Sequence, residues 1–261
     1  MVSFSMQIRT AYATEKLRKL KGEYMNKLFV LSGSSGAGKS TLLNRLVKEG
    51  ICNAAIKYSE RKRFNTVDDI TTVENIDSPQ LQCDIIYSMY GNKYGFSSKQ
   101  LYTQLQEGNL ILITNDKSVI DKLKKRFPQK VVLIYIVSDV NKQLLRRIYI
   151  KRHGFPIIKN IEFSLIEQIE NTKKMIIENN VEQFFQCIDN INDYIDNLVL
   201  QDEEFRLRLN SVKLQGELYS LNLFTYDYTV LNLYSNNTST IHATESAFDQ
   251  LKRIIKKEEG E

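Results

Sequence analysis

The chain has 261 residues, of which 42% are hydrophobic, so it is long enough to bury a core and lies near the upper end for one compact domain. Its 36 Lys and Arg against 31 Asp and Glu give a formal charge of +5 that is scattered along the chain, which suits phosphorylated small molecules and is too weak to indicate nucleic acid. Three cysteines without CxxC spacing and two isolated histidines indicate neither a disulfide framework nor a zinc site, and no apolar run reaches the roughly 18 residues of a membrane span, so we expect a cytoplasmic protein without a membrane partner.

The first segment in chain order, residues 1–24, precedes the stretch MNKLFVLSG, where Met25 stands directly before a predicted strand. The codons of residues 21–23 can contain a purine-rich ribosome-binding sequence at a suitable distance before Met25, so one interpretation is a translated leader. The other is an amphipathic N-terminal extension, because four apolar residues can share one helical face. Those residues are Ile8, Tyr12, Leu17 and Leu20.

Strands and helices alternate from residue 27 to residue 152. Each predicted strand is short and apolar on both faces, and the helices carry apolar residues at helical spacing, with serine, glycine or proline near their ends. This pattern predicts a parallel sheet covered by helices on both sides. The predicted strands are KLFVL at 27–31, Cys52–Tyr58, NLILIT at 109–114 and VVLIYIV at 131–137, and the predicted helices are 41–50, 97–108, 117–127 and 138–152.

The pattern changes after Gly154. The stretch from Phe155 to Glu204 carries apolar residues at helical spacing and is too long for an ordinary loop, so it predicts a helical insertion. Its apolar positions are expected to cover one another or a second subunit, and a homodimer is the assembly we expect. A strand at 228–234 and a helix at 246–257 then return to the α/β pattern, followed by an end, EEGE, that should fray.

The stretch Gly33–Ser40 fits the phosphate-loop pattern GxxxxGK[ST] in full, between a predicted strand and a predicted helix. In such a loop, glycines let successive backbone N–H groups turn toward a phosphate, and the helix N-terminus adds its dipole. Lys39 is expected to reach the β and γ oxygens as a catalytic cation, and Ser40 to supply a hydroxyl ligand to Mg²⁺. The pattern predicts ATP or GTP as phosphoryl donor, and ATP is the donor we expect. The expected nucleotide-binding residues are Gly33, Ser34, Ser35, Gly36, Ala37, Gly38, Lys39, Ser40 and Thr41.

From about Leu28 to Arg152 the chain resembles the guanylate kinase family. The resemblance is carried by LFVLSGSSGAGKSTLL, by YGNKYGF at 90–96, by SSKQLYTQLQEG and by the stretch from LILITNDK to QLLRRI. It implies a P-loop kinase fold, a three-layer α/β sandwich with a parallel sheet and an extended helical lid or insertion. Together with the predicted elements it divides the chain into 1–24 as leader or N-terminal extension, 25–153 as kinase core with the acceptor-binding region, 154–204 as helical insertion or lid, and 205–261 as the return to the core and C-terminal helix.

The resemblance also implies how the phosphate of an acceptor is held. The family's GNxYG segment places a tyrosine on that phosphate, here Tyr94, and its SxTTRxxR-like segment places two arginines, here Arg61 and, with a shortened spacing, Arg63. Arginine forks and a tyrosine hydroxyl can hold a dianion beside the γ-phosphate against repulsion. Tyr94 could instead be a packing aromatic, but its glycine neighbours suggest a close approach of the backbone to a ligand.

Further site residues come from the same resemblance. It favours Arg147 and Arg152 as catalytic contacts to the transferring phosphate, with Arg206 or Arg208 as an additional contact, and the alternative for each is a solvated basic helix face. Asp116 aligns with the second carboxylate of the family's DxD segment, where it could contact the acceptor base or the metal shell. It could equally be a helix N-cap.

The acceptor-base region departs from the family pattern. Ile85 replaces the glutamate that would accept hydrogen bonds from guanine, with Asp84 one residue away, and Phe96 occupies a usual Ser or Thr position. The stretch between YSERKRF and YGNKYG is also several residues short, and Thr114 stands where the first Asp of DxD would be. An isoleucine offers no hydrogen bond to a guanine edge, so ordinary guanylate kinase activity is in doubt.

These observations favour an ATP-dependent kinase that transfers the γ-phosphate to a nucleoside monophosphate or a related phosphate ester. One alternative is phosphorylation of ribose 1,5-bisphosphate, because the ITND segment at 113–116 resembles the polar segment of that sister activity. Another is a nucleotide-binding or interaction module that no longer transfers phosphate. The intact Lys39-Ser40 pair argues against the module.

Overall fold

A computed structural model describes residues 25–61, 70–139, 145, 203–222, 225–233 and 240–260. Its contacts divide the chain into two compact units, the first formed by 1–33, 37–139 and 222–261 and the second by 34–36 and 140–221. Several predictions fall on residues outside the described ranges and stay predictions: the segment 1–24, nearly all of the insertion at 154–204, and the arginines Arg63, Arg147 and Arg152.

The described strands and helices follow the predicted α/β alternation. The strands are β1 Leu28–Ser32, β2 Asn53–Ala54, β3 Tyr58–Ser59, β4 Thr71–Thr72, β5 Ile85–Met89, β6 Asn92–Phe96, β7 Leu110–Ile113, β8 Val131–Val137 and β9 Tyr228–Leu231. The helices are α1 Lys39–Lys48, α2 Ser98–Glu107, α3 Lys117–Arg126, α4 Glu203–Asn222 and α5 Thr240–Glu259.

The main sheet of the first unit has five parallel strands in the order β2-β7-β1-β8-β9. This confirms the predicted parallel sheet. Alternate residues of β1 enter two different cores: Leu28 and Val30 pack with residues of α2 and α3, whereas Phe29 and Leu31 pack with residues of α1 and α5. Helices therefore cover both faces of the sheet, as strands that are apolar on both sides require.

The predicted strand at Cys52–Tyr58 is wrong as one element. The chain there divides, so that β2 pairs with β7 in the main sheet while β3 pairs with β6 in a second sheet. That second sheet has four strands in the order β4-β3-β6-β5. Tyr90 and Gly91 join β5 to β6 with φ values of 53° and 76°, which are the two left-handed residues of a tight hairpin turn.

The helix ends follow the local chemistry that the sequence indicates. Ser97 caps α2 by accepting a hydrogen bond from the backbone N–H of Gln100, and the helix ends before Gly108. Asp116 caps α3 in the same way, by accepting from the N–H of Val119. Helix α5 begins six residues before its predicted start and continues into the first residues of the EEGE end. None of the helices in the described ranges is long and apolar enough to cross a membrane.

Candidate phosphate loop and acceptor site

The glycines of the phosphate loop take backbone conformations that other residues rarely adopt. Gly36 and Gly38 have φ values of 85° and 81°, and Gly38 forms the left-handed start of α1. Gly33 has φ 141°, and a Cβ added there would lie 2.5 Å from the carbonyl oxygen of Ile136 on β8. The turn after β1 therefore depends on glycine both for conformation and for space, which is the form of a loop that turns its backbone N–H groups toward an anion.

Asn115 fixes the start of the loop. Its Oδ1 accepts from the backbone N–H of Gly33 at 2.9 Å, and its Nδ2 donates to the Gly33 carbonyl oxygen at 2.8 Å. The same carbonyl oxygen accepts from Lys39 Nζ at 2.7 Å. A further amide, that of the fully buried Asn232 after β9, donates to the Ala37 carbonyl oxygen at 2.9 Å.

Neither asparagine was among the residues predicted from the sequence. The signal that could have found them is positional: Asn232 directly follows β9, Asn115 lies two residues after β7, and the carboxyl ends of parallel strands meet at one edge of the sheet.

Ser40 is the second residue of α1 and is half-buried. A hydroxyl at this point of a phosphate loop is one suitable Mg²⁺ ligand, with nucleotide oxygens and water completing a coordination shell. In the part of the chain that the structure describes, no group of three or more His, Cys, Asp or Glu could hold a metal by itself.

In the second unit, the guanidinium of Arg208 contacts the middle of the loop. Its Nη1 donates to Ser35 Oγ at 3.3 Å, and the side chain is buried. Arg206, two residues earlier on α4, is exposed. Of the two alternatives that the sequence left open, Arg208 is thus the arginine beside the loop.

Arg61 and Tyr94, which the sequence predicts to share a ligand, lie together in the first unit. Arg61 Nε donates to Tyr94 Oη at 3.0 Å. Tyr94 is buried, and its ring stacks on that of Tyr87 with centroids 5.3 Å apart. A guanidinium with a phenol hydroxyl at its side presents several donors from one direction, the donor set that suits a phosphate dianion.

The glycines beside Tyr94 have structural reasons of their own. Gly91 supplies the left-handed residue of the β5–β6 turn, and nothing lies within 4 Å of a Cβ added there. A Cβ on Gly95 would lie 2.9 Å from Ile76 Cδ1. The close approach that excludes a side chain at Gly95 is made by Ile76, so the predicted approach of a ligand to this backbone is not needed to explain the glycine.

On one face of the second sheet, the residues proposed to contact the phosphate acceptor lie in rows that run across neighbouring strands. The first row contains Ser59 of β3, Tyr94 of β6 and Tyr87 of β5. In the next row, Ile85 of β5 pairs with Phe96 of β6. The antiparallel register of β3 and β6, continued by one residue, sets Lys57 opposite Phe96 in that second row. All six side chains of these rows are buried.

Lys57 was not among the site residues predicted from the sequence, because it lies within the stretch that was predicted to form one strand, Cys52–Tyr58. The side chain is 6% exposed, and its Nζ lies 3.5 Å from the Ile113 carbonyl oxygen at the end of β7. The same Nζ lies 5.8 Å from the centroid of the Tyr94 ring. Lys57 therefore brings a positive charge from the second sheet to the carboxyl edge of the main sheet.

Asp84 and Asp116, the two carboxylates considered in the sequence analysis, each accept a hydrogen bond from a backbone N–H. Asp84 Oδ1 accepts from the backbone N–H of Ser98 at 2.7 Å, and its Oδ2 lies 3.1 Å from Arg126 Nη2. Asp116 shows the N-cap arrangement, accepting from Val119 N–H at 3.1 Å. The register around Ile85 is regular, so Asp84 does not replace it on the face of Tyr94 and Phe96.

No family model matches the chain. Among curated proteins it is 28% identical over 147 residues to the guanylate kinase of Bartonella quintana, covering 54% of this chain and 66% of that protein. It is 26% identical over 193 residues to the guanylate kinase of Bartonella henselae, covering 70% of this chain and 87% of that protein. It is 28% identical over 183 residues to the guanylate kinase of Clostridium acetobutylicum, covering 66% of this chain and 80% of that protein.

The fold is also similar to a solved structure, the crystal structure of guanylate kinase from Anaplasma phagocytophilum. The TM-score is 0.50 at 15% identity, with 92% of this chain and 89% of that chain covered. At this identity the likeness concerns the fold alone. The mixed α/β architecture with its five-stranded parallel sheet matches that of the solved structure.

Proposed function

We propose that this guanylate-kinase-like chain is an ATP-dependent kinase that transfers the γ-phosphate to a nucleoside monophosphate or a related phosphate ester. The observation that carries the proposal is the pair formed by Arg61 and Tyr94, with Nε and Oη 3.0 Å apart. Its donors suit an acceptor phosphate, and an intact GxxxxGK[ST] loop begins in the same unit of the chain. A protein that only binds a nucleotide has little need of both.

On the donor side, the loop from Gly33 to Thr41 would hold the ATP phosphates through its backbone N–H groups. Lys39 would leave the Gly33 carbonyl oxygen for the β and γ oxygens, while Asn115 keeps that glycine in place. Mg²⁺, held by Ser40 and the nucleotide, would neutralise charge on the phosphate oxygens. We further propose that Arg147, Arg152 and Arg208 act on the transferring phosphate.

On the acceptor side, Arg61, Arg63 and Tyr94 would hold the phosphate dianion that receives the new group. Transfer between two phosphates requires alignment and charge neutralisation more than covalent chemistry, so fixed cations on both phosphates are the main contribution of the protein. Asp116 remains a proposed acceptor contact, through an oxygen that does not cap α3.

The far end of the acceptor site argues against guanine. Ile85 and Phe96 are fully buried side by side, and neither can accept a hydrogen bond from the guanine edge. Leaving such groups unpaired costs about 1–3 kcal/mol each, which corresponds to roughly tenfold or more in selectivity. We therefore propose that GMP is not the preferred acceptor.

A coupled assay of ADP release tests the proposal. The purified full chain would be supplied with ATP, Mg²⁺ and, in turn, GMP, AMP, CMP, UMP, dTMP and ribose 1,5-bisphosphate. We expect release with at least one acceptor, with GMP not the best, and a gain in GMP use for Ile85→Glu. Preference for ribose 1,5-bisphosphate alone would favour that sister activity. Nucleotide binding without release for any acceptor would favour the non-catalytic module, and a kcat/KM for GMP well above all others would contradict the assignment of Ile85.

A further inference from the structure

We infer that Lys57 is a specificity-determining residue of the acceptor site, which selects acceptors whose end opposite the phosphate presents oxygen hydrogen-bond acceptors rather than amino groups. Two kinds of acceptor have this chemistry: a pyrimidine with a carbonyl at position 4, and a sugar with a second phosphate. The inference rests on the proposed function and concerns the same site.

The proposal places the two ends of an acceptor on different rows of the second sheet, with the ammonium of Lys57 5.8 Å from the centroid of the Tyr94 ring. Arg61 belongs to the Tyr94 side, where its Nε meets the tyrosine hydroxyl. Lys57 lies four residues earlier on the same stretch of chain, a distance of at most about 13 Å if it is extended, and shares its row with Phe96 and Ile85. A ligand with its phosphate on Arg61 and Tyr94 would extend along this face toward Lys57.

The side chains of the second row offer hydrogen-bond donors and no acceptors. Phe96 and Ile85 offer no hydrogen bond, whereas the ammonium of Lys57 donates and cannot accept. Adenine and cytosine carry an amino group at the position where uracil carries a carbonyl oxygen, and an amino group against an ammonium finds no acceptor and loses its water. Uracil and thymine carry a carbonyl oxygen there, and a second phosphate carries anionic oxygens, so both can accept from Lys57. Guanine has a carbonyl oxygen that could accept from Lys57, but its N1–H and its amino group would be left against Ile85 and Phe96, which cannot accept.

The burial of Lys57 strengthens this selection. At 6% exposure the ammonium is largely shielded from water, and its Nζ lies 3.5 Å from the Ile113 carbonyl oxygen. In such a place an oxygen of the ligand stabilises the charge, and an amino group destabilises it, more than either would at the protein surface.

The sharpest test compares UMP with CMP, because the two differ at position 4 by a carbonyl oxygen against an amino group. We expect the wild-type full chain to use UMP with a kcat/KM at least about tenfold above that for CMP. A kcat/KM for ribose 1,5-bisphosphate above both would make the sugar the preferred oxygen-bearing acceptor. In Lys57→Met, which keeps the length of the side chain and removes the charge, the kcat/KM for the preferred oxygen-bearing acceptor should fall about tenfold or more. The value for CMP should change less than threefold.

Lys93→Met is the matched control, since Lys93 lies on β6 next to Tyr94 but is exposed and paired with Asp77 at 2.9 Å. It should leave the selectivity unchanged. If Lys57→Met does not fold, Lys57→Gln should bring UMP and CMP closer together, because an amide both donates and accepts. Equal loss for all acceptors would make Lys57 a phosphate contact and overturn the inference, as would a wild type that prefers CMP, AMP or GMP.

A failure of the proposed function would look different. In that case no acceptor causes ADP to form from ATP. Binding of UMP, CMP and ribose 1,5-bisphosphate to wild type and to Lys57→Met is then measured directly by calorimetry. Lys57-dependent preference for the oxygen-bearing ligands would support the inference without catalysis. Equal affinities, or no binding of any of them, would overturn it.

Discussion

Removing the hydroxyl of Tyr94 tests the acceptor site with little disturbance of its surroundings. In Tyr94→Phe the ring stays and keeps its stacking on Tyr87 at 5.3 Å, so the free energy of unfolding should fall by only about 0.5–1.5 kcal/mol. The bond from Arg61 Nε at 3.0 Å is lost together with the proposed bond to the acceptor phosphate. A hydrogen bond to a charged group contributes about 1.5–3 kcal/mol, so kcat/KM for the acceptor should fall about 10- to 150-fold.

The loss should appear mainly in the KM of the acceptor, measured by initial rates at saturating ATP, with the KM of ATP changed less than twofold. Tyr58→Phe is the matched control: Tyr58 lies on the opposite face of the same sheet and donates to Gln100 Oε1 at 3.1 Å. A double-mutant cycle with Arg61→Lys should give a coupling of about 0.5–3 kcal/mol because the two side chains are in contact. Equal rises in both KM values, or the same effect from Tyr58→Phe, would refute the assignment.

Lys39→Ala should lower phosphoryl transfer by at least about 100-fold in the ADP-release assay while leaving the unfolding midpoint nearly unchanged; near-normal turnover would contradict the donor-side role. Gly33→Ala should lower the free energy of unfolding in urea by roughly 1–3 kcal/mol, since its Cβ would meet the Ile136 carbonyl oxygen at 2.5 Å, and unchanged stability would argue against the loop geometry. Burial raises the pKa of Cys52 from 9.0 to about 12, so its thiol should resist alkylation at pH 8 until the protein unfolds. Because the folded state holds that proton more tightly, the contribution to stability is full below pH 9 and is lost as the pH rises toward 12, and Cys52→Ala should flatten the alkaline part of a stability profile.

The main sheet could be predicted because its information is local. VVLIYIV is observed as β8 with the predicted bounds 131–137, and Ser97 and Gly108 mark the ends of α2 as their capping chemistry requires. Strands buried on both faces are recognised from their own residues, and a helix cap is recognised within one turn. The phosphate loop belongs to the same class, since its pattern is contiguous.

The second sheet could not be predicted because its information is non-local. β3 and β4 have two residues each, too few for any alternation to be recognised, and β3 pairs with β4 and β6, which come twelve residues or more later in the chain. Lys57 becomes a site candidate only through the register that sets it opposite Phe96, thirty-nine positions away by number. Asn115 likewise acquires its role from the turn after β1, which no spacing within ITND reveals.

The arrangement of the second sheet in rows also bears on how such an enzyme could change its substrate over time. Arg61 and Tyr94 stand in one part of the face, and Lys57, Ile85 and Phe96 share a separate row. If the proposed acceptor site is correct, a substitution in the latter row would alter what the far end of a ligand must offer while the residues proposed to hold its phosphate stay unchanged, so intermediates along an evolutionary path would keep some activity. Because the residues proposed to hold the phosphate lie outside that row, the row of Lys57 is the place to begin when a new acceptor is sought by directed evolution.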